Sequence, residues 1–147
     1  MITIDDIEAA KKRIQGVATR TPLIAHPAQS GRLWLKPESL QPIGAFKLRG
    51  AYNKIASLSA AEKARGGIAF SSGNHAQGVA YAARALGIEA TIVMPAIAPQ
   101  IKKSKTKALG ATIVELADGS EEDWRVAAED LAQQRGFVMV PPFEDEL

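Results

Sequence analysis

Cysteine is absent from all 147 residues, which excludes disulfides, thiolate metal sites and a cysteine nucleophile. Histidine is almost as scarce. His26 and His75 are the only two, and the pair is too thin for a histidine-based metal site. Neither sign of charge dominates. There are 18 Lys+Arg against 16 Asp+Glu, a net charge of +2, too weak a field to argue for a nucleic acid partner. No apolar run approaches the roughly 18 residues of a membrane span. The opening Met1-Ile2-Thr3-Ile4-Asp5-Asp6 lacks the basic and apolar regions of a signal peptide, which predicts a cytoplasmic protein. Neither Gly-x-Gly-x-x-Gly nor Gly-Lys-Ser/Thr occurs, so the common dinucleotide and triphosphate fingerprints lack support. What remains is 46% hydrophobic and 23% charged, the balance of a globular chain with a real core.

The patterning is regular from residue 67 onward. Short apolar strands are predicted over 68–70, 90–94, 111–116 and 137–140. Helices are predicted between them over 74–86, 99–109 and 121–135, each closed by a glycine: Gly87, Gly110 and Gly136. Such alternation signals βαβ units and a parallel sheet, hence an α/β fold. Upstream, Thr3 or Asp5 can cap a helix carrying Ile4, Ile7, Ala10 and Ile14 and ending near Gly16. A short strand over 32–36 is stopped by Pro37, and a helix runs over 46–55. The basic run Lys102, Lys103, Lys105 and Lys107 is expected to be a solvated helix face. Trp124, in a largely polar helix, is expected to pack. The tail after residue 140 carries no helix or strand signal, and a chain stopping there looks interrupted.

Two loops carry chemistry. In Ile43-Gly44-Ala45-Phe46-Lys47-Leu48-Arg49-Gly50, one lysine stands where a helix should begin. A lysine that forms a Schiff base must be neutral when it attacks, and apolar flanks, a nearby cation and the positive end of a helix all favour that form. The plainer alternative is a solvated lysine at a helix start. In Ser71-Ser72-Gly73-Asn74-His75-Ala76-Gln77-Gly78, polar side chains crowd another strand-to-helix turn. A helix N-terminus beyond a parallel strand suits a carboxylate or phosphate, and Gly73 lets the backbone approach a ligand. A simple N-cap explains one such polar residue but not five.

Together these stretches resemble the serine/threonine dehydratase and serine racemase family, fold type II enzymes that depend on pyridoxal phosphate (PLP). Residues 35–51 resemble the family's PLP-attachment segment and residues 71–78 its asparagine loop, with further likeness at 87–95 and 107–111. The resemblance implies that Lys47 forms the Schiff base and moves the α-proton. It implies that Phe46 packs the cofactor and that Asn74 hydrogen-bonds the pyridine 3-hydroxyl. Ser71, Ser72, Asn74, His75 and Gln77 would hold the substrate carboxylate. Ser72 also falls where the racemases carry a second acid/base group. The expected activity is conversion of L-threonine or L-serine to a 2-oxo acid and ammonia, with racemisation or β-replacement as alternatives; a third alternative is a catalytically incomplete interaction module.

The resemblance also sets expectations for architecture. Residues 1–57 would begin the large domain and 58–147 would form the small parallel α/β domain. The remainder of the large domain, with its phosphate-cradling glycine loop, would lie outside this sequence, leaving Trp34, Leu35 and Ile55 exposed. The enzyme would be a homo-oligomer or need its missing half, with no metal, membrane or nucleic acid partner. One departure stands beside the lysine. Ile43-Gly44-Ala45 occupies the place where the family commonly has Thr-Gly-Ser, so two hydroxyls are lost.

Overall fold

A computed structural model describes residues 2–29, 31–117 and 119–143. Thr3 caps helix α1 (Ile4–Arg13), and its side chain and that of Asp6 satisfy each other's backbone amides in a capping box. Strands β1 (Ile24–Ala25) and β2 (Trp34–Leu35) form a small antiparallel ribbon. Helix α2 (Lys47–Ser57) follows, then α3 (Ala60–Arg65), β3 (Gly67–Phe70), α4 (Asn74–Leu86), β4 (Ala90–Pro95), α5 (Gln100–Ala108), β5 (Thr112–Leu116), α6 (Glu121–Arg135) and β6 (Val138–Met139).

Strands β3 to β6 make one parallel sheet in the order β5-β4-β3-β6. The chain steps outward from β3 to β5, then α6 carries it back to the far side of β3. The direction of winding therefore reverses between β3 and β6. Open parallel sheets place ligands beyond the carboxyl ends of the strands at such a reversal.

Alternation along the strands builds the two faces. Ala69, Ile92 and Met94 face α4 and α2, where Val79, Ala80, Ala83, Ala51 and Ile55 complete a buried cluster. Ile68, Phe70 and Val93 face α6 and meet Ala128 and Ala132, with Trp124 packed alongside. Gly87 and Gly136 close α4 and α6 in left-handed conformations (φ 68° and 74°) that other residues rarely adopt.

Two expectations need correction, and one helix was not anticipated. Ile55 is 1% exposed, because α2 lies on α4 and covers it; Trp34 and Leu35 are exposed as anticipated. Helix α3 has no counterpart in the periodicity reading, although its signal is present in the sequence: Ser59 and Glu62 form a capping box. The second correction concerns the lysine run. Lys103 is 3% exposed. Helical spacing puts it and Thr106 on the side of α5 turned toward the sheet. Its stem packs there, and its ammonium donates to the Ala96 carbonyl at 2.7 Å and to Glu115 Oε2 at 2.6 Å. Lys103→Met keeps the stem and deletes the donor, so it should cost about 1–3 kcal/mol of stability in urea unfolding. Lys105→Met, on an exposed position of the same helix, should stay within about 0.5 kcal/mol.

Candidate active site

The segment before α2 is anchored by one carboxylate. Glu38 accepts a two-pronged hydrogen bond from Arg49, Nε to Oε2 at 2.8 Å and Nη2 to Oε1 at 2.9 Å. Thr21 Oγ1 donates to Oε1 at 2.7 Å and Gln41 Nε2 to Oε2 at 3.1 Å. The Arg49 guanidinium, chiefly, holds the Glu38 carboxyl down at about 2. Arg49 lies two residues past Lys47 on the first turn of α2, so this network sets where Lys47 stands.

Lys47 is the first residue of α2. Its Nζ donates to the carbonyl of Pro142 at 2.6 Å and lies 4.2 Å from the centre of the Phe143 ring and 5.4 Å from that of Phe46. Pro142 and Phe143, just after β6, thus lie over the lysine. A hollow opens on either side. One, of about 260 Å³, is bounded by Lys47 and Phe46, by Ser71, Ser72 and Asn74, and by Trp124 of α6. The other, of about 240 Å³, runs between Lys47, His75 and Pro141. Each is near the lower limit of roughly 300 Å³ for small-molecule pockets.

The turn from β3 to α4 forms the second wall. Gly73 is the N-cap and no side chain caps α4, so its first amides are left for a ligand, as an anion site requires. Ser71 Oγ accepts from the Gly73 amide at 3.1 Å. Ser72 and Asn74 make no side-chain hydrogen bond among the described residues. His75 is buried, and its Nε2 lies 2.8 Å from the Val140 carbonyl. That oxygen only accepts, so Nε2 carries the proton. Burial, above all, lowers the His75 pKa, and the nearby Lys47 charge adds to this against the opposing Val140 bond. His75 is therefore a neutral strut that ties α4 to the end of β6.

Lys47, Phe46, Ser71, Ser72, Asn74 and His75 all meet at the first hollow. Gln77 does not. It is 8% exposed and borders a different hollow beside Gln41, Pro42 and Gly44. The reason is the helical turn: position 77 lies three residues past Asn74, on the flank of α4 that faces the 39–44 loop. Sequence reasoning also missed Lys102. Its Nζ would lie 3.5 Å from a Cβ built on Gly73, which puts a cation behind the uncapped start of α4. The signal was its place on the first turn of a helix starting beside that loop.

A model of one enzyme family matches residues 14–147, and its description is pyridoxal-phosphate dependent enzyme. The chain belongs to that family. Among curated PLP-dependent relatives, L-threonine ammonia-lyase of Thermotoga maritima is 46% identical over 99% of this chain and 37% of its own length. The catabolic L-threonine dehydratase TdcB of Staphylococcus aureus is 44% identical over 99% of this chain and 43% of its own length. Among solved structures, maize serine racemase aligns with a TM-score of 0.89 at 36% identity, covering 97% of this chain and 44% of that one. Threonine deaminase isoform 2 of Solanum lycopersicum aligns at 0.88 and 35%, covering 97% and 43%. The chain thus spans about two-fifths of the length of these PLP-dependent relatives.

The residues present fit the reactive end of the cofactor. An amine, an amide side chain and uncapped helix N–H groups converge on one cavity, the donor set that an aldehyde, a phenolic oxygen and a carboxylate need. Among the described residues no cluster of glycines opens a helix as a phosphate cradle would.

Proposed function

We propose that this chain is the lysine-bearing part of a PLP-dependent hydroxy-amino-acid ammonia-lyase acting on L-threonine or L-serine in the cytoplasm. One observation carries the reading: the Lys47 amine and the uncapped start of α4 face the same cavity at the reversal of the sheet. The substrate assignment draws on the two threonine-degrading relatives. The division into a large-domain segment over 1–57 and a small domain over 58–147 belongs to the same reading. So does assembly as a homo-oligomer or with a polypeptide that completes the large domain.

Lys47 would hold the cofactor covalently and Asn74 would hydrogen-bond its phenolic oxygen, with Phe46 packing beside it. Bound PLP supplies an electron-withdrawing ring that stabilises the electron pair left when the α-proton departs. The amides of Asn74 and His75, with the Ser71 and Ser72 hydroxyls, would clamp the substrate carboxylate and so fix the direction of the Cα–H bond. Once the amino group of the substrate takes its place on the cofactor, the freed Lys47 amine would take the α-proton as general base. Loss of the β-hydroxyl as water and hydrolysis of the remaining C–N bond yield the 2-oxo acid and ammonia. Lys47 must first leave the Pro142 carbonyl.

A second reading, serine racemisation, is favoured by one feature. The Ser72 hydroxyl has no hydrogen bond among the described residues and shares the cavity with Lys47, where it could return a proton to the opposite face.

The test is borohydride reduction of the chain with PLP, followed by peptide mapping. A phosphopyridoxyl group concentrated on Lys47, and lost in Lys47→Arg, is expected. Label scattered over the surface lysines would overturn the reading in favour of a non-catalytic module. Product analysis of the completed enzyme separates a 2-oxo acid with ammonia from inverted serine.

A further inference from the structure

The first hollow has a wall that neither motif supplies. Glu121 and Trp124, one turn apart at the start of α6, border it beside Phe70. The two neighbouring acids are engaged. Glu122 accepts from Arg125, and Asp123 completes the capping box with Ser120. Glu121 makes no hydrogen bond or ion pair among the described residues. Trp124 packs its ring on the cluster around Phe70, yet its indole Nε1 is buried without a partner among the described residues. A buried donor left without an acceptor is destabilising, so it calls for an explanation, and a role in the site is one.

We infer that Glu121 and Trp124 read the side chain of the bound amino acid, admitting a small β-substituent that donates a hydrogen bond and rejecting a β-carboxylate. The inference rests on the roles proposed for Lys47 and the turn at 71–75. With the carboxylate on the α4 amides and the amino group directed to the Lys47 side, the substrate side chain is left the wall made by α6. There the Glu121 carboxylate accepts from a hydroxyl or ammonium and repels an anion. The Trp124 ring limits the length of the substituent, and its N–H can meet an acceptor on the ligand after a small reorientation. Discrimination by an unpaired like charge is the usual device where attraction alone cannot separate two ligands of similar size.

The test uses stable reduced adducts: phosphopyridoxyl-L-serine, phosphopyridoxyl-L-2,3-diaminopropionate and phosphopyridoxyl-L-aspartate. They are titrated into the chain in a Trp34→Phe background, where Trp124 is the sole tryptophan. The seryl and diaminopropionyl adducts should quench Trp124 and bind about tenfold tighter than the aspartyl adduct. Glu121→Gln should shrink that difference to about twofold and leave the affinity for the seryl adduct within about threefold. Glu121 is exposed, so this variant does not put the fold at stake. Equal affinity for seryl and aspartyl adducts, or discrimination that survives Glu121→Gln, overturns the inference while leaving the proposed function standing. Failure of every adduct to bind overturns both.

Discussion

Replacing Glu38 by alanine should lower the unfolding free energy by about 2–4 kcal/mol and the melting temperature by roughly 5–10 °C. The argument starts from the displacement of its carboxyl from 4.5 to about 2, caused first by the Arg49 hydrogen bonds and aided by Thr21 and Gln41. A displacement of that size corresponds to about 3 kcal/mol of preference for the ionised form in the folded state. Both partners are largely shielded, with side-chain exposures of 21% for Glu38 and 30% for Arg49, so solvent screening does not erase the effect. Alanine also strands Arg49, Thr21 and Gln41 without their acceptor.

The pH dependence follows with a definite sign. A carboxyl held below its ordinary value contributes its full stabilisation above about pH 4.5 and loses it as pH falls toward about 2. His75 acts from higher pH. Its lowered value means that the unfolded chain takes up a proton before the folded one, so stability also declines as pH drops below 6.5. Chemical denaturation of the native chain and of Glu38→Gln between pH 7 and 3 checks this. The variant should show a shallower decline below pH 4.5, because Asp6, Glu62, Glu115 and other carboxyls held low by their own partners remain, and should keep the earlier one. Unchanged stability of Glu38→Ala would show that the network contributes nothing. Because Arg49 shares the first turn of α2 with Lys47, Glu38→Ala should also slow the fixing of PLP on Lys47.

Gly78→Leu should be the most damaging single substitution near the site. A Cβ at residue 78 would lie 3.1 Å from the Lys47 carbonyl oxygen, 3.3 Å from its carbonyl carbon and 3.3 Å from the Ala51 Cβ. The groups in the way are mostly the backbone of α2, which cannot rotate aside. For alanine two effects nearly offset. The helix gains about 1 kcal/mol from replacing glycine, while overpacking costs typically 1–3 kcal/mol. Leucine adds three more carbons to the same contact, so overpacking wins and α2 must move off α4. We expect Gly78→Leu to lose at least about 3 kcal/mol in urea unfolding and most of the labelling at Lys47. Gly78→Ala should stay within about 2 kcal/mol of the native chain but lower the labelling rate, since the displaced atoms belong to Lys47. Native stability in the leucine variant would mean that α2 and α4 are free to separate at this contact.

Much of the fold was legible because it is local. The bounds of α4 and α6 follow from helical periodicity and the glycines after them. The parallel sheet follows from short apolar strands spaced by such helices. The two loops were legible as chemistry because a lysine and a row of polar residues stood at helix starts, positions whose electrostatics the backbone alone dictates. The local signal for α3 is its capping box, Ser59 with Glu62.

What only the tertiary structure decided involves contacts across long stretches of chain. The bond from Lys47 to Pro142 spans 95 residues, and that from His75 to Val140 spans 65. No periodicity carries such pairings. They arise because the return of β6 beside β3 brings Pro142 and Phe143 over the start of α2. Other placements need the packing of neighbours: α2 lying on α4 buries Ile55, the seating of α5 by the sheet turns Lys103 inward, and the 39–44 loop against one flank of α4 gives Gln77 a different hollow from Asn74. Local sequence set which elements form. The order in which they stack determined which side chains share a cavity, because that order depends on distant surfaces finding one another.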